Sequence, residues 1–460
     1  MDFTLSNDPG HVVEADRAHV WHHLSQHKPY EGAVDPRIIV EGKGLKVWDI
    51  KGKEHIDAVS GGVWTVNVGY GRERIGQAIA EQVTKMCFFG GSAGTIPGAN
   101  FAEMLIDKMP GLDRVYYANS GSEANEKAFK MVRQISHKHH GGKKSKILYR
   151  DRDYHGTTVA CLSAGGQDER NAQYGPFAPG FVRVPHCLEY RSQDGSTGEA
   201  YTAASLKAIE DVILREGADT IGSLCLEPIT AGGGIIVPPV GYWEGVQALC
   251  KKYDILLHID EVVCGLGRTG TWFGYQQFGV QPDIVTMAKG VASGYAAISC
   301  CVTTNAVFDQ FKDDTDKMSY FRDISTFGGC TAGPAAAIVN MQIIEEEDLR
   351  GNSVRMGAHL KSNLQGLMEK HKWVGDVRGM GLFAGAELVQ DRATKEPVDE
   401  KLVMAIVADC MQQGVIIGAS NRSMPGYNNT LLFAPALVAT EDDIDHITDA
   451  VDQAITRVLG

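Results

Sequence analysis

The chain has 460 residues, a length that suits two domains, or one large domain with a smaller one appended, rather than a single small core. With 43% hydrophobic and 22% charged residues it has the make-up of an ordinary soluble enzyme. Its net charge of −13 argues against a nucleic-acid role, because phosphate-backbone binding depends on clustered Lys and Arg.

The opening Met1-Asp2-Phe3-Thr4-Leu5-Ser6 has neither a basic leader nor an apolar core, and no run approaches the length of a membrane span, so a cytoplasmic chain is expected. The ten cysteines occur singly or as the neighbours Cys300 and Cys301, with no C-x-x-C, as reduced thiols would. The early part of the chain reads as an N-terminal arm followed by short strands. Residues 37–49 hold two extended runs broken by glycines, a hairpin signal. Residues 59–71 are too glycine-rich for a helix and carry Trp64, which either walls a pocket or is buried structurally.

From about residue 72 strands and helices alternate, the pattern of a doubly wound sheet. Residues 114–118 read as a strand and Asn119-Ser120-Gly121-Ser122 as a turn. The chain from Glu123 reads as a helix with Ala124, Ala128, Met131, Val132 and Ile135 on one face. Strand, Gly/Ser turn and helix N-terminus together make an anion site, since free backbone N–H groups and the helix dipole point at the ligand. A helix cap explains Ser120 or Ser122 equally well. The basic run 137–146 reads as a solvated helix end and loop, and its His137, His139 and His140 share a Gly/Lys-rich turn ill suited to a metal. A strand at 147–150 leads into Asp153-Tyr154-His155-Gly156, where the aromatic stacks on a flat ring or simply packs.

Three successive strands then deliver ionisable residues: 221–226 ends on Glu227, 255–259 on Asp260 and 284–288 on Lys289. Ligands of open α/β sheets sit at the carboxyl ends of strands. An acid and a lysine facing one crevice are what a pyridoxal 5′-phosphate (PLP) site needs, the lysine for a Schiff base and the carboxylate to keep the pyridine nitrogen protonated. Beyond Lys289 come a strand at 298–303, a loop at 325–330, an Ala-rich helix from about 334 to 346 and strand patterns at 374–388. A loop at 418–429 precedes the last helix, where Thr440 and Asp443 form a capping box and Ile444, Ile447, Val451, Ile455 and Val458 an apolar stripe.

Gly265-Leu266-Gly267-Arg268-Thr269-Gly270 matches G-x-G-x-x-G, the mark of a dinucleotide-dependent oxidoreductase. A true fingerprint opens a helix directly after its strand; here residues 260–264 intervene and 271–279 is no amphipathic helix, so that reading is disfavoured.

Asn119-Ser-Gly-Ser-Glu-Ala-Asn125, Asp153-Tyr-His-Gly156, Leu226-Glu-Pro228, Asp260-Glu-Val-Val-Cys-Gly-Leu-Gly-Arg-Thr-Gly270 and Met287-Ala-Lys-Gly290 resemble the class III, or omega, aminotransferases of PLP fold type I. The resemblance runs over nearly the whole chain. It implies an α/β fold: a mainly parallel, doubly wound large domain at 66–335 and a smaller α+β domain built from both termini, 1–65 with the N-terminal arm and 336–460. Within the family, residues 59–72, 149–158, 174–180, 290–295 and 320–330 are most similar to the branch that moves the amino group of taurine to pyruvate. β-Alanine, hypotaurine or another amine is the alternative donor.

The resemblance also implies roles. Lys289 carries the Schiff base and then moves the proton; Asp260 pairs with the pyridinium nitrogen; Val262 packs on the ring face opposite Tyr154. Ser120, Gly121 and Ser122 lie around the phosphate with Thr326 of the partner subunit, which makes a homodimer, or a tetramer built from it, obligatory for the site. His155 and Glu227 sit beside the cofactor and Trp64 lines the substrate pocket. Two departures matter. Relatives acting on ornithine, acetylornithine or 4-aminobutyrate have Arg directly after His-Gly, where this chain has Thr157. Many omega-aminotransferases carry a carboxylate-binding arginine where this chain has Gly418, and Arg422 is the candidate replacement, on a loop whose glycines, proline and asparagines look mobile.

Overall fold

The computed structural model describes residues 6–32, 34–90, 92–313 and 316–460. The reading of the first residues as no leader falls on 1–5, outside the described residues. The helix Pro9–His19 buries none of its residues, as an arm would. β1 (Ile39–Lys43) and β2 (Lys46–Asp49) form the expected antiparallel hairpin, and β3 (Glu54–Asp57) pairs antiparallel with β2.

The apolar runs of the middle of the chain build one seven-stranded sheet. Its strands are β4 (Arg114–Ala118), β5 (Lys146–Arg150), β6 (Phe181–Val184), β7 (Ile221–Leu226), β8 (Leu256–Asp260), β9 (Ile284–Met287) and β10 (Ser299–Thr303), in the order β4-β10-β9-β8-β7-β5-β6. β6, β5, β7, β8 and β9 run parallel, and β10 runs antiparallel to both of its neighbours. Every residue of β7, β9 and β10 is buried, which is why these strands read as continuous apolar runs rather than alternating ones. Register then aligns the chemistry. Leu226 pairs with Ile259 and Asp260 with Thr286, so Glu227, Asp260 and Lys289 emerge at one edge of the sheet.

The helix Gly121–His140 crosses this sheet on the side of Ala124, Ala128, Met131 and Val132, all buried. It starts two residues earlier than the sequence suggests, because Ser120 takes the N-cap and draws Gly121 and Ser122 into the first turn. Towards the C-terminus, β11 (Val374–Gly379), β12 (Ala384–Asp391), β15 (Gly418–Ala419) and β16 (Thr430–Phe433) form an antiparallel sheet, with β13 (Glu396–Pro397) on β12. β14 (Val415–Ile416) pairs parallel with β3, so the two ends of the chain share a sheet. β15 means that the late loop starts at residue 420 rather than 418. The final helix, Glu441–Leu459, carries the capping box of Thr440 and Asp443.

The G-x-G-x-x-G segment opens no helix. Its Arg268 is fully buried and donates to Leu382 O at 2.9 Å, Pro435 O at 2.5 Å, Asn67 Oδ1 at 2.8 Å and Ser60 Oγ at 3.2 Å. It is a clamp joining the N-terminal, central and C-terminal segments. Among the described residues no helix is long and apolar enough to cross a membrane and no cluster could hold a metal ion. All ten cysteines are free.

Candidate active site

At one end of the cavity is the start of the helix Gly121–His140. Ser120 does not line it: its Oγ accepts from Glu123 N at 3.2 Å, a helix cap. Gly121 and Ser122 do line it, with first-turn amides that have no partner inside the helix. Opposite them is Gly156, at φ +138°, where a Cβ would come within 2.3 Å of Ser122 Oγ. Only glycine lets the loop after β5 approach the helix so closely, and Thr157 N then donates to Ser122 Oγ at 3.1 Å. The result is a cradle of backbone amides at a positive helix end, the chemistry of a phosphate site.

Asp260 occupies the centre. Its Oδ2 accepts from Asn125 Nδ2 at 2.8 Å and lies 2.8 Å from His155 Nδ1, and its Oδ1 accepts from Val262 N at 3.0 Å. Burial pushes its pKa up, but the His155 ring, the Val262 amide and Asn125 outweigh burial and hold the carboxylate below its ordinary value. Asp260 is thus an ionised carboxylate in a buried place, fit to hold a protonated ring nitrogen.

Lys289 follows β9 with φ +37°, a left-handed conformation costly for a side-chain-bearing residue and often found at functional positions. It lines the cavity with Asp260 and forms no ion pair among the described residues. Burial lowers its pKa, and the charges of Asp260 and Glu227 only partly oppose this. A lysine poised towards its neutral form is a nucleophile. Glu227, also lining the cavity, accepts from Tyr154 N at 2.8 Å and Ala231 N at 3.0 Å. Burial, then the charges of Asp153 and Asp260, raise its pKa well above the usual range. Asp153 takes Arg150 Nη2 at 3.0 Å and Glu227 N at 3.0 Å, which locks the ends of β5 and β7 together.

Val262 and Tyr154 wall the cavity, and Val262 packs against Gly121 so closely that a Cβ there would sit 3.0 Å from it. Besides Ser120, three expected residues lie outside this lining. Trp64, at φ +60°, packs edge-on against Phe383 with ring centres 6.0 Å apart, on a cluster that includes the cavity residue Val263. Thr326 is exposed beside Phe88 and Phe89. Arg422 is exposed, at φ +45°. Its loop is less free than its composition suggests: buried Asn428 donates to Glu169 Oε2 at 2.7 Å and Glu400 Oε2 at 3.0 Å, and Asn429 to Leu388 O at 2.5 Å.

Sequence reasoning left Asn125 out of the site. The signal for Asn125 was a polar residue on the apolar face of the helix, next to Ala124. Arg170 stacks its guanidinium over Tyr154, 5.4 Å from the ring centre.

The residues present fit PLP. Gly121 and Ser122 would offer amides to its phosphate, Tyr154 and Val262 would flank its ring, Asp260 would face the ring nitrogen, and Lys289, which has no ion pair among the described residues, would face the aldehyde.

A family model described as aminotransferase class III matches residues 30–455. The chain is 69% identical, over 99% of its length and 98% of the relative's, to a hypotaurine/taurine–pyruvate aminotransferase of Paracoccus denitrificans. It is 64% identical, over 99% of both chains, to a taurine–pyruvate aminotransferase of Rhodobacter capsulatus. Among solved structures, a Bacillus anthracis aminotransferase superposes with a TM-score of 0.94 at 37% identity, covering 99% of this chain and 100% of that one. The chain belongs to the class III aminotransferases and is a PLP-dependent transaminase.

Proposed function

We propose that this aminotransferase moves the amino group of taurine to pyruvate, giving sulfoacetaldehyde and L-alanine. The observation that carries the reading is identity of 69% and 64% along essentially the full chain to relatives named for that donor and acceptor. Hypotaurine as donor is the second reading, favoured by the printed name of the Paracoccus relative.

When bound, PLP supplies an electron sink for the charge left on the amine-bearing carbon. Lys289 would hold the cofactor through Nζ and, as a free amine, would carry the proton that the donor carbon loses. Asp260 stays ionised under the hold of His155, Asn125 and Val262 N, and keeps the proton on the ring nitrogen. Gly121 and Ser122 would hold the phosphate, while Tyr154 and Val262 would flank the ring and exclude water from its faces. Glu227 fixes the backbone at Tyr154 and Ala231. Arg422 meets the acid group of donor and acceptor in turn. The same groups then act in reverse on pyruvate.

A homodimer completes the site in this reading. Exposed apolar side chains, Phe89 at 52% and Ile324 at 73%, surround Thr326 and support a contact with a second copy, which would bring Thr326 to the partner's phosphate. Free thiols throughout suit a cytoplasmic enzyme. The boundaries at 66 and 336 are proposed for the large domain, with the shared β3–β14 pairing in support of a small domain made from both ends. A donor panel of taurine, hypotaurine, β-alanine and an uncharged amine with pyruvate, read as alanine formed, tests the function. Taurine is expected to rank first or beside hypotaurine; preference for β-alanine or the uncharged amine overturns the reading.

A further inference from the structure

Arg170 lies on the short helix Asp168–Asn171, against the wall of the cavity that holds Lys289. Its Nε donates to Gln167 Oε1 at 2.7 Å, and its ring stack on Tyr154 fixes the guanidinium plane. Among the described residues no carboxylate pairs with Arg170 or with Arg422. The nearest acid in sequence, Glu169, accepts from Asn428 at 2.7 Å instead, while Glu169 N donates to Ser423 O at 3.1 Å. Asn428 Oδ1 in turn accepts from Ser423 N at 3.2 Å and Met424 N at 3.3 Å. These bonds fasten the segment of Arg170 to the loop of Arg422, and the two carboxylates at the junction, Glu169 and Glu400, both accept from the Asn428 amide rather than from an arginine. Both cations are left without an acidic partner, and the charge of Arg422 bears on Arg170. The charge of Arg170 in turn reaches Lys289. Two guanidinium groups with no acidic partner, on segments tied to each other and felt by one another's charge, are stabilised by an anion that meets both.

We propose that Arg170 is a second anion-binding residue of the substrate pocket, which with Arg422 grips the sulfonate of the donor. This rests on the taurine reading for the identity of the donor, and on the structure alone for the site. A sulfonate has three oxygens arranged in a tetrahedron and can accept from two guanidinium forks at once. A carboxylate has two oxygens in a plane and is satisfied by one fork. Arg170 would therefore separate a sulfonate donor from a carboxylate donor of the same length, and Arg422 alone would serve pyruvate.

The test uses the holoenzyme with Arg170→Gln and Arg170→Lys. Calorimetry measures affinity for ethanesulfonate and for propionate, acids that lack the amine, and kinetics compare taurine with an uncharged amine. For Arg170→Gln the expected result is ethanesulfonate binding weakened roughly ten- to a hundredfold, as for loss of a charge-assisted hydrogen bond. Propionate affinity and turnover of the uncharged amine should stay within about threefold of wild type, and taurine should lose through KM rather than kcat. Arg170→Lys, which keeps the charge, should recover part of the ethanesulfonate affinity. No ethanesulfonate binding to wild type, or unchanged binding in Arg170→Gln, overturns the proposal. Equal losses for ethanesulfonate, propionate and the uncharged amine overturn it too, since they assign Arg170 to holding Tyr154. Ethanesulfonate bound through Arg170 by an enzyme that makes no alanine from taurine contradicts the donor and leaves the anion site standing.

Discussion

Asn125 donates through Nδ2 to Asp260 Oδ2 at 2.8 Å, and its Oδ1 accepts the Thr286 hydroxyl at 2.7 Å. The Thr286 proton is thereby spent on Asn125, so His258 Nε2, 3.0 Å from Thr286 Oγ1, is the donor in that pair. Burial pushes the His258 pKa down to about 3, and its Nδ1, buried with no partner, needs no proton in a neutral ring protonated on Nε2. A one-way chain of donors thus runs from His258 through Thr286 and Asn125 to the carboxylate. Asn125→Asp places a second carboxylate on Asp260 and should raise its pKa by like-charge repulsion, slowing turnover roughly a hundredfold, while Asn125→Ala costs about tenfold. Steady-state kinetics at pH 7 check this; an Asn125→Asp enzyme as fast as wild type contradicts it.

Gly156→Ala should loosen the cofactor. The new Cβ meets Ser122 Oγ at 2.3 Å in a backbone with φ +138°, so the loop must leave the helix start that cradles the phosphate. A strain of about 1–3 kcal/mol, expressed as roughly ten- to a hundredfold weaker PLP binding, is expected. Equilibrium dialysis of the variant measures it, with circular dichroism to establish that the fold is retained.

Lys289 makes the empty protein less stable than it need be. Burial depresses its pKa below the ordinary 10.5, so the folded state holds its proton less tightly than the unfolded chain does. The cost is fully present below the folded-state value and is relieved as pH rises from there towards 10.5. Apo Lys289→Met should accordingly melt a few degrees above apo wild type at pH 7, with the gap narrowing at pH 10, and should have no transaminase activity. A wild-type apoenzyme more stable than the variant at pH 7 would refute the depressed pKa.

The strands that carry Glu227, Asp260 and Lys289 were legible because strands buried on both faces read as unbroken apolar runs ended by an ionisable residue. The start of the helix at Gly121 was not, since Asn-Ser-Gly-Ser has turn chemistry and only the Ser120 cap, seen in three dimensions, turns two of its residues helical. Asn125 was missed because its value depends on which residue a helix position faces across the sheet. The tie of Glu169 to Ser423 and Asn428, which brings the segment of Arg170 to the loop of Arg422, is a tertiary contact between distant segments, invisible to periodicity. Mobility of residues 418–429 was inferred from composition, but Asn428 and Asn429 spend their side chains on fixing the loop. For Trp64 the sequence left pocket wall and structural packing open, and the ring packs edge-on against Phe383.

The glycine-rich segment around Arg268 tests how the N-terminal, central and C-terminal segments are joined. Arg268→Met removes the donors to Leu382 O, Pro435 O and Asn67 Oδ1 at once. Each buried acceptor left unpaired costs about 1–3 kcal/mol, so the variant should unfold at markedly lower urea or fail to accumulate. Urea unfolding followed by fluorescence decides it; wild-type stability would mean that the clamp carries no load.

Transfer of nitrogen itself tests the central claim most directly. Purified enzyme is supplied with 15N-taurine and unlabelled pyruvate, and alanine is analysed by mass spectrometry. The expected result is alanine labelled with 15N, formed together with sulfoacetaldehyde, and none from Lys289→Ala. Unlabelled alanine, no alanine, or labelled alanine from the Lys289→Ala protein would contradict the account.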